Sequence, residues 1–289
     1  MNRILKVSLI QMHTIPQDLE RNINLALKMA KKSVKNGAKL IVLPELFDSG
    51  YCVEKESEKY ASDFTNLKSS KTLQSLLIFC QKYKVYIIGC VIEKDSKKNA
   101  FYDTAFILGE NGLVGKYRKI YLWGDEPKRF AGGSEYPVFT LKFKTFQVKV
   151  GLQICYEIGF SEGARILSLK GAEILVFPSA FGKARTYAWN LASRARALEN
   201  GTFVLAVNQS KSQSNQFTHQ KLKFAANSQI INPRGEVLAK AKKDNEALIC
   251  VLNLQECKEQ RNALPYLKDL NISLQTKALQ SLKRSFESE

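Results

Sequence analysis

Three residues of this 289-residue chain stand where a side chain could react. Glu45 directly follows the apolar run Leu40-Ile41-Val42-Leu43-Pro44. A carboxylate there must be solvated, paired or functional, because burying an unpaired charge is costly. Taken alone, it reads more often as a loop carboxylate. Cys155 ends the run Val148–Ile154, with Val148, Val150, Leu152 and Ile154 on one face and Lys149, Gly151, Gln153 and Cys155 on the other. A thiol at such a strand-to-helix elbow meets backbone N–H groups that could stabilise an oxyanion. On its own, a strand-end cysteine is more often core than nucleophile. Lys119 shares a face with Leu113, Tyr117 and Tyr121, as the single cation there, whereas Lys116 and Arg118 share the other face. Parity alone does not separate it from a surface lysine. The two histidines, His13 and His219, have no evident orienting partner. No metal cluster at short spacing and no phosphate-cradling glycine loop is present, so neither a metal nor an organic cofactor is expected.

The elements that must hold these residues alternate between strand and helix. Strands are expected at Ile4–Met12, Leu40–Pro44, Val85–Ile92, Phe101–Leu108 and Leu113–Leu122. Further strands are expected at Val138–Phe143, Phe146–Ile154, Glu173–Pro178, Thr202–Asn208, Asn227–Ile231, Glu236–Ala239 and Ala247–Leu252. Helices fit the stripe Leu19, Ile23, Leu27, Ala30, Val34, and the segments Lys71–Tyr83, Ser161–Lys170 and Arg185–Asn200. Ser161 fits an N-cap. Gly109-Glu110-Asn111-Gly112 reads as a hairpin turn, and 210–221 as a polar segment. An internal echo runs through the chain: strand, helix, Gly-Ala, apolar strand and proline, once over 7–45 and again over 150–179. Two such halves predict an α/β fold, a two-sheet α-β-β-α sandwich with internal pseudo-symmetry. Residues 1–265 are expected to form one domain, and 266–289 a polar, partly helical tail used in packing or dimerisation.

Composition narrows the function classes. Hydrophobic residues make up 45%, enough for a sizeable core and unlike a disordered chain. No stretch approaches the ~20 apolar residues of a membrane helix. Lys6 interrupts the N-terminal apolar run and no cleavage site follows, so a cytoplasmic location is expected. The net charge of +17 raises nucleic acid as a partner, but the cations are scattered and not interleaved with aromatics, so a solvated lysine-rich surface is the better reading. The six cysteines contain no CxxC and read as reduced thiols. Cys80, Cys90 and Cys250 lie in apolar segments and are expected in the core.

Several segments, taken in order, resemble the nitrilase superfamily of carbon–nitrogen hydrolases over Val7 to about Pro265. Leu43-Pro44-Glu45-Leu46-Phe47-Asp48-Ser49-Gly50-Tyr51 looks like its catalytic glutamate segment, and Tyr117-Arg118-Lys119-Ile120-Tyr121-Leu122 like its lysine segment. Gly151-Leu152-Gln153-Ile154-Cys155-Tyr156-Glu157 looks like its nucleophile elbow, followed by the similar strand 171–180. Arg194-Ala195-Arg196-Ala197-Leu198-Glu199-Asn200 is similar to a helix segment near the family's dimer interface. Glu126-Pro127-Lys128-Arg129-Phe130-Ala131-Gly132-Gly133 resembles the loop whose glutamate positions substrate. Tyr121, Glu157 and Phe160-Ser161-Glu162 depart from the family's usual His, Asp and Phe-Pro-Glu.

The resemblance implies a Cys155 nucleophile, Glu45 as the base that takes and returns its proton, and Lys119 with the Tyr156 N–H stabilising the oxyanion. Glu126 assists. Tyr51, Trp123, Tyr156, Ser179 and Phe181 are expected to line the substrate pocket. The reaction implied is hydrolysis of a small linear amide or N-carbamoyl compound, with nitrile hydrolysis or acyl transfer as the alternative on the same fold. A homodimer or larger assembly is implied, with no nucleic-acid or membrane partner.

Overall fold

A computed structural model describes residues 3–287. The first half of the chain runs β1 (Ile4–Gln11), α1 (Leu19–Lys35), β2 (Leu40–Val42), α2 (Lys71–Tyr83), β3 (Tyr86–Asp95), β4 (Ala100–Gly109) and β5 (Gly112–Arg118). The second runs β6 (Val138–Lys142), β7 (Gln147–Leu152), α3 (Ser161–Leu169), β8 (Ile174–Ser179), α4 (Thr186–Leu198) and β9 (Phe203–Asn208). There follow β10 (Ser212–Ser214), β11 (Lys221–Lys223), β12 (Gln229–Ile231), β13 (Val237–Lys240) and β14 (Glu246–Asn253). The chain closes with α5 (Gln255–Ala263), α6 (Tyr266–Asp269) and α7 (Ile272–Glu287).

Two six-stranded sheets result, ordered β14-β1-β2-β3-β4-β5 and β13-β12-β9-β8-β7-β6. In each, three parallel strands form the centre, β1–β2–β3 and β7–β8–β9, with antiparallel strands at the flanks. The central strands read as continuous apolar runs because both faces are buried. Val7, Leu9, Leu40 and Val42 face Val150, Leu152, Ile174 and Val176 between the sheets. Ile10 and Ile41 turn outward against Ala26 and Ala30 of α1 and Leu73 and Leu76 of α2. Leu175 and Phe177 do the same against Leu167 of α3 and Trp189 of α4. This is the two-sheet α-β-β-α sandwich that the internal echo predicts; its four layers are complete within one chain, whereas the resemblance implies four layers only once two protomers pack, and the pseudo-symmetry extends to register. Val7 pairs with Leu40 in the first half and Val150 with Ile174 in the second.

Some boundaries differ from the sequence reading. The 113–122 run stops as a strand at Arg118, because Gly133 N–H takes the Lys119 carbonyl at 2.7 Å. A Cβ on Gly133 would lie 2.2 Å from the Arg118 carbonyl oxygen, so only glycine allows this approach. Strand β7 stops at Leu152, and Cys155 opens a short 3₁₀ turn, Cys155–Gly159, instead of ending the strand. Ser161 is the first residue of α3 and Phe160 takes the cap position without a side-chain bond. The polar stretch 210–221 contains β10, which pairs with β11, a hairpin without an apolar alternation to announce it. Cys80 and Cys90 are buried, but Cys250 is only half-buried, since β14 is an edge strand. No helix among the described residues is long and apolar enough to cross a membrane.

Candidate active site

The carboxyl ends of the parallel strands point to one place between the sheets. Glu45 sits in the turn after β2. Its neighbour Leu46 has φ +46°, and the Glu45 carbonyl accepts the Gln209 side-chain amide at 2.7 Å, a bond between the two halves. Asp48 pins the same turn to the helices. Its carboxylate accepts the Thr72 hydroxyl at 2.7 Å, and its carbonyl accepts Asn22 Nδ2 at 2.7 Å.

Lys119 follows β5. Its N–H donates to the Asp103 carbonyl at 2.9 Å, which sends the side chain inward and leaves it fully buried. The Lys119 ammonium donates to Glu45 Oε1 at 2.7 Å, Glu126 Oε1 at 2.9 Å and Asp103 Oδ2 at 3.3 Å. Lys116 and Arg118, on the opposite face, are both engaged by Glu93.

Glu126 opens the 3₁₀ turn Glu126–Lys128. It accepts the Tyr51 hydroxyl at 2.7 Å on Oε1 and the Trp123 N–H at 2.7 Å on Oε2.

Cys155 has φ +48°, a left-handed conformation that costs a non-glycine residue ~1–3 kcal/mol and is held only where its surroundings impose it. Glu157 imposes it. One carboxylate oxygen accepts the Ile154 N–H at 2.7 Å; the other accepts the Tyr117 hydroxyl at 2.6 Å and the Ile120 N–H at 2.9 Å. The elbow is thereby tied to the lysine segment. From the other side Arg196 of α4 donates to the Ile158 carbonyl at 3.0 Å, so this arginine faces the turn that Cys155 opens.

Burial and charge set the protons. Three carboxylates, Glu45, Asp103 and Glu126, present oxygens within 4.8 Å of one another around a single ammonium. That ammonium stands where a cation would gather such a cluster. Burial lifts the Glu45 carboxyl well above the usual range; Lys119 opposes this, while Asp103 and Glu126 add to it. Burial pulls on Lys119 in the opposite sense, but Glu126, Glu45 and Asp103 outweigh it and hold the ammonium charged. The Cys155 thiol is pushed well up by burial and by Glu45, against Lys119. At rest it is a thiol beside a base, not a free thiolate.

A cavity of about 190 Å³ opens over Cys155. Tyr51, Trp123, Tyr156 and Phe181 line it. Ser179 does not: its hydroxyl turns back to the Phe177 carbonyl at 3.1 Å. The next residue, Ala180, takes its place, lining the cavity and donating its N–H to Glu45 Oε2 at 2.6 Å. Neither histidine lines the cavity. Asp103 escaped the sequence reading, although a lone acid inside the apolar run Phe101–Leu108 carries the same burial signal that singled out Glu45.

The carbon-nitrogen hydrolase family profile matches residues 6–262. The chain is 35% identical over 246 residues to a nitrilase of Pyrococcus abyssi, covering 84% of this chain and 87% of the relative. It is 32% identical over 274 residues to omega-amidase NIT2 of Xenopus tropicalis, covering 90% and 92%. Its fold superposes on a carbon-nitrogen hydrolase from Helicobacter pylori G27 with a TM-score of 0.84 and 25% identity, covering 96% of this chain and 99% of that one. The chain therefore belongs to the carbon-nitrogen hydrolase family, enzymes that cleave carbon–nitrogen bonds other than peptide bonds.

Proposed function

We propose that this enzyme hydrolyses a small linear amide or N-carbamoyl compound through a thioester on Cys155. The observation that carries this reading is the buried cluster in which the Lys119 ammonium bonds both Glu45 and Glu126, beneath the cavity that Cys155 lines. Glu45 takes the thiol proton as Sγ attacks the carbonyl carbon. The developing oxyanion meets the Lys119 ammonium and the Tyr156 N–H, in the first turn of a 3₁₀ segment, where N–H groups lack helical partners. The carbon–nitrogen bond breaks as Glu45 passes its proton to the leaving nitrogen. Water, deprotonated by the same carboxylate, attacks the thioester; the carbon–sulfur bond breaks and the proton returns to Sγ. Glu126 holds Lys119 in place and, through Tyr51 and Trp123, shapes the pocket wall.

A copy of this chain fits the exposed apolar surface as partner, giving a homodimer. On α4, Tyr187 and Leu191 are 74% and 70% exposed, Leu198 continues their stripe next to Gly235, and Val237 and Leu238 of β13 are exposed as well. Residues 1–265 form the catalytic domain in this reading. The amphipathic α7, with Ile272, Leu274, Leu279 and Leu282 exposed, contributes to packing between copies.

Ammonia release from ω-amides, short aliphatic amides, N-carbamoyl amines and nitriles tests the reaction. Cys155→Ala is expected to abolish release with circular dichroism and melting unchanged. A folded, fully active Cys155→Ala protein would sink the mechanism. Ester or hydroxamate formation from an added alcohol or hydroxylamine in preference to free acid would transfer the assignment to acyl transfer.

A further inference from the structure

The cavity over Cys155 is apolar on nearly every side, yet one wall carries a full charge. Arg185, Ala188 and Ala192 all line it. They are spaced three and four residues apart and therefore share one face of α4 and the residue that opens it. The two alanines leave room. The arginine reaches along the wall and lays its guanidinium on the Trp123 ring, 4.6 Å from the centroid. Trp123 in turn packs on Tyr156, with ring centroids 4.8 Å apart, and Tyr156 adjoins the nucleophile. On its other side, guanidinium Nη1 lies 3.4 Å from where a Cβ on Gly182 would stand, so the missing side chain gives the group its place.

Stacking fixes the plane of the guanidinium without using its N–H groups. No carboxylate among the described residues forms an ion pair with Arg185, in contrast to Arg3 and Arg196, which each hold one, and Arg118, which holds two. Arg185 is also the only charged residue on the cavity lining. Deeper in, the chemistry is carboxylate-rich, with Glu45, Asp103 and Glu126 around Lys119. An anionic substrate can therefore settle in one direction only: amide inward, anion outward.

We propose that Arg185 is the specificity residue of this pocket and pairs, through its planar fork, with a carboxylate at the far end of the substrate. The substrate class is then the monoamide, or N-carbamoyl derivative, of a small aliphatic acid. This rests on the amide-hydrolysis reading above and refines it. It also assigns a use to the net charge of +17, which raises the local concentration of anions at a cavity mouth that displays a free cation.

The test compares matched pairs that differ only at the far end: succinamic acid with butyramide, glutaramic acid with pentanamide, and N-carbamoyl-β-alanine with propylurea. The wild type is expected to favour the acids in kcat/KM. Arg185→Gln is expected to lose about 10- to 100-fold on the acids, the range for hydrogen bonds to a charged group, and to stay within about threefold on the neutral partners. Arg185→Lys should recover only part, having lost the fork. Equal turnover of acid and neutral partners by the wild type overturns the assignment while leaving the amidase reading intact. So does an equal loss on both by Arg185→Gln, which would mark a packing role. A second readout does not need turnover: in the Cys155→Ala protein, glutarate should raise Tm, and Arg185→Gln should remove that rise. With no ammonia from any pair, an Arg185-dependent Tm rise would leave the anion site standing and remove the amidase reading. Neither signal would remove both.

Discussion

The two halves of the molecule are built alike and do different chemistry. Strand β1, helix α1 and strand β2 repeat as β7, α3 and β8, and the shared register equates Val7 with Val150 and Leu40 with Ile174. Gly37 and Gly171 occupy equivalent turns with φ +86° and +96°. Even the lysine stems over them correspond, Lys6 on one and Lys149 on the other. Counting forward from the register places Glu45 opposite Ser179 and Met12 opposite Cys155. The first half therefore offers a carboxylate and a thioether, the second a hydroxyl turned into its own strand and a thiol. A symmetric scaffold supplies two strand ends at one crevice, and breaking the symmetry in side chains assigns the roles.

The sharpest test of that asymmetry is Glu45→Gln. It keeps shape but removes the base, and should cost about 10²–10⁴ in kcat, the usual worth of a general base, with the fold retained. A second test separates Asp103 from a packing role. Asp103 raises the Glu45 carboxyl, and the reaction needs Glu45 ionised. Activity should therefore rise with pH through a midpoint above the ordinary carboxylate range. Asp103→Asn should move that acid limb to lower pH, since one neighbouring negative charge is gone; an unmoved limb with lower kcat would make Asp103 structural only. The scaffold itself should respond symmetrically. Gly37→Ala and Gly171→Ala each place a Cβ in the left-handed region and should cost a similar ~1–2 kcal/mol in urea unfolding. A large difference between them would break the equivalence of the halves. The smallest effect belongs to Ser179→Ala, the counterpart of Glu45. Losing its bond to the Phe177 carbonyl should cost ~1 kcal/mol at most and leave kcat within twofold.

Much of this was legible before any coordinates. Apolar runs buried on both faces, punctuated by Gly-Ala and Pro, announced the paired sheets, because period and composition follow directly from which faces meet solvent. The helix at about Lys71–Tyr83 is legible from the helical spacing of Leu73, Leu76, Leu77 and Cys80, and the structure adds the Ser70 cap and the left-handed exit at Lys84. The β10–β11 hairpin was not legible, because its one buried side chain, Gln213, is polar and no apolar alternation marks the strands. Ser179 was misplaced for a different reason. A position after a buried strand is fixed by pattern, but whether the hydroxyl faces the crevice or its own backbone depends on the turn that follows.

By itself, the sequence determined the layering, the internal repeat and the placing of a carboxylate, an amine and a thiol just past strand ends. Those properties are local or periodic, and side-chain chemistry travels with the residue. Tertiary structure alone decided the protons and the contacts. Asp103, 16 residues from Lys119, and Glu45, 74 away, become its neighbours only when β4 and β5 close beside β3. Glu157 reaches back to Ile120, and Arg196 to Ile158, across distances along the chain that no spacing rule encodes. Proton affinities follow from burial and from the charges that folding brings near, so the same glutamate, lysine and cysteine acquire their working states only inside the sandwich.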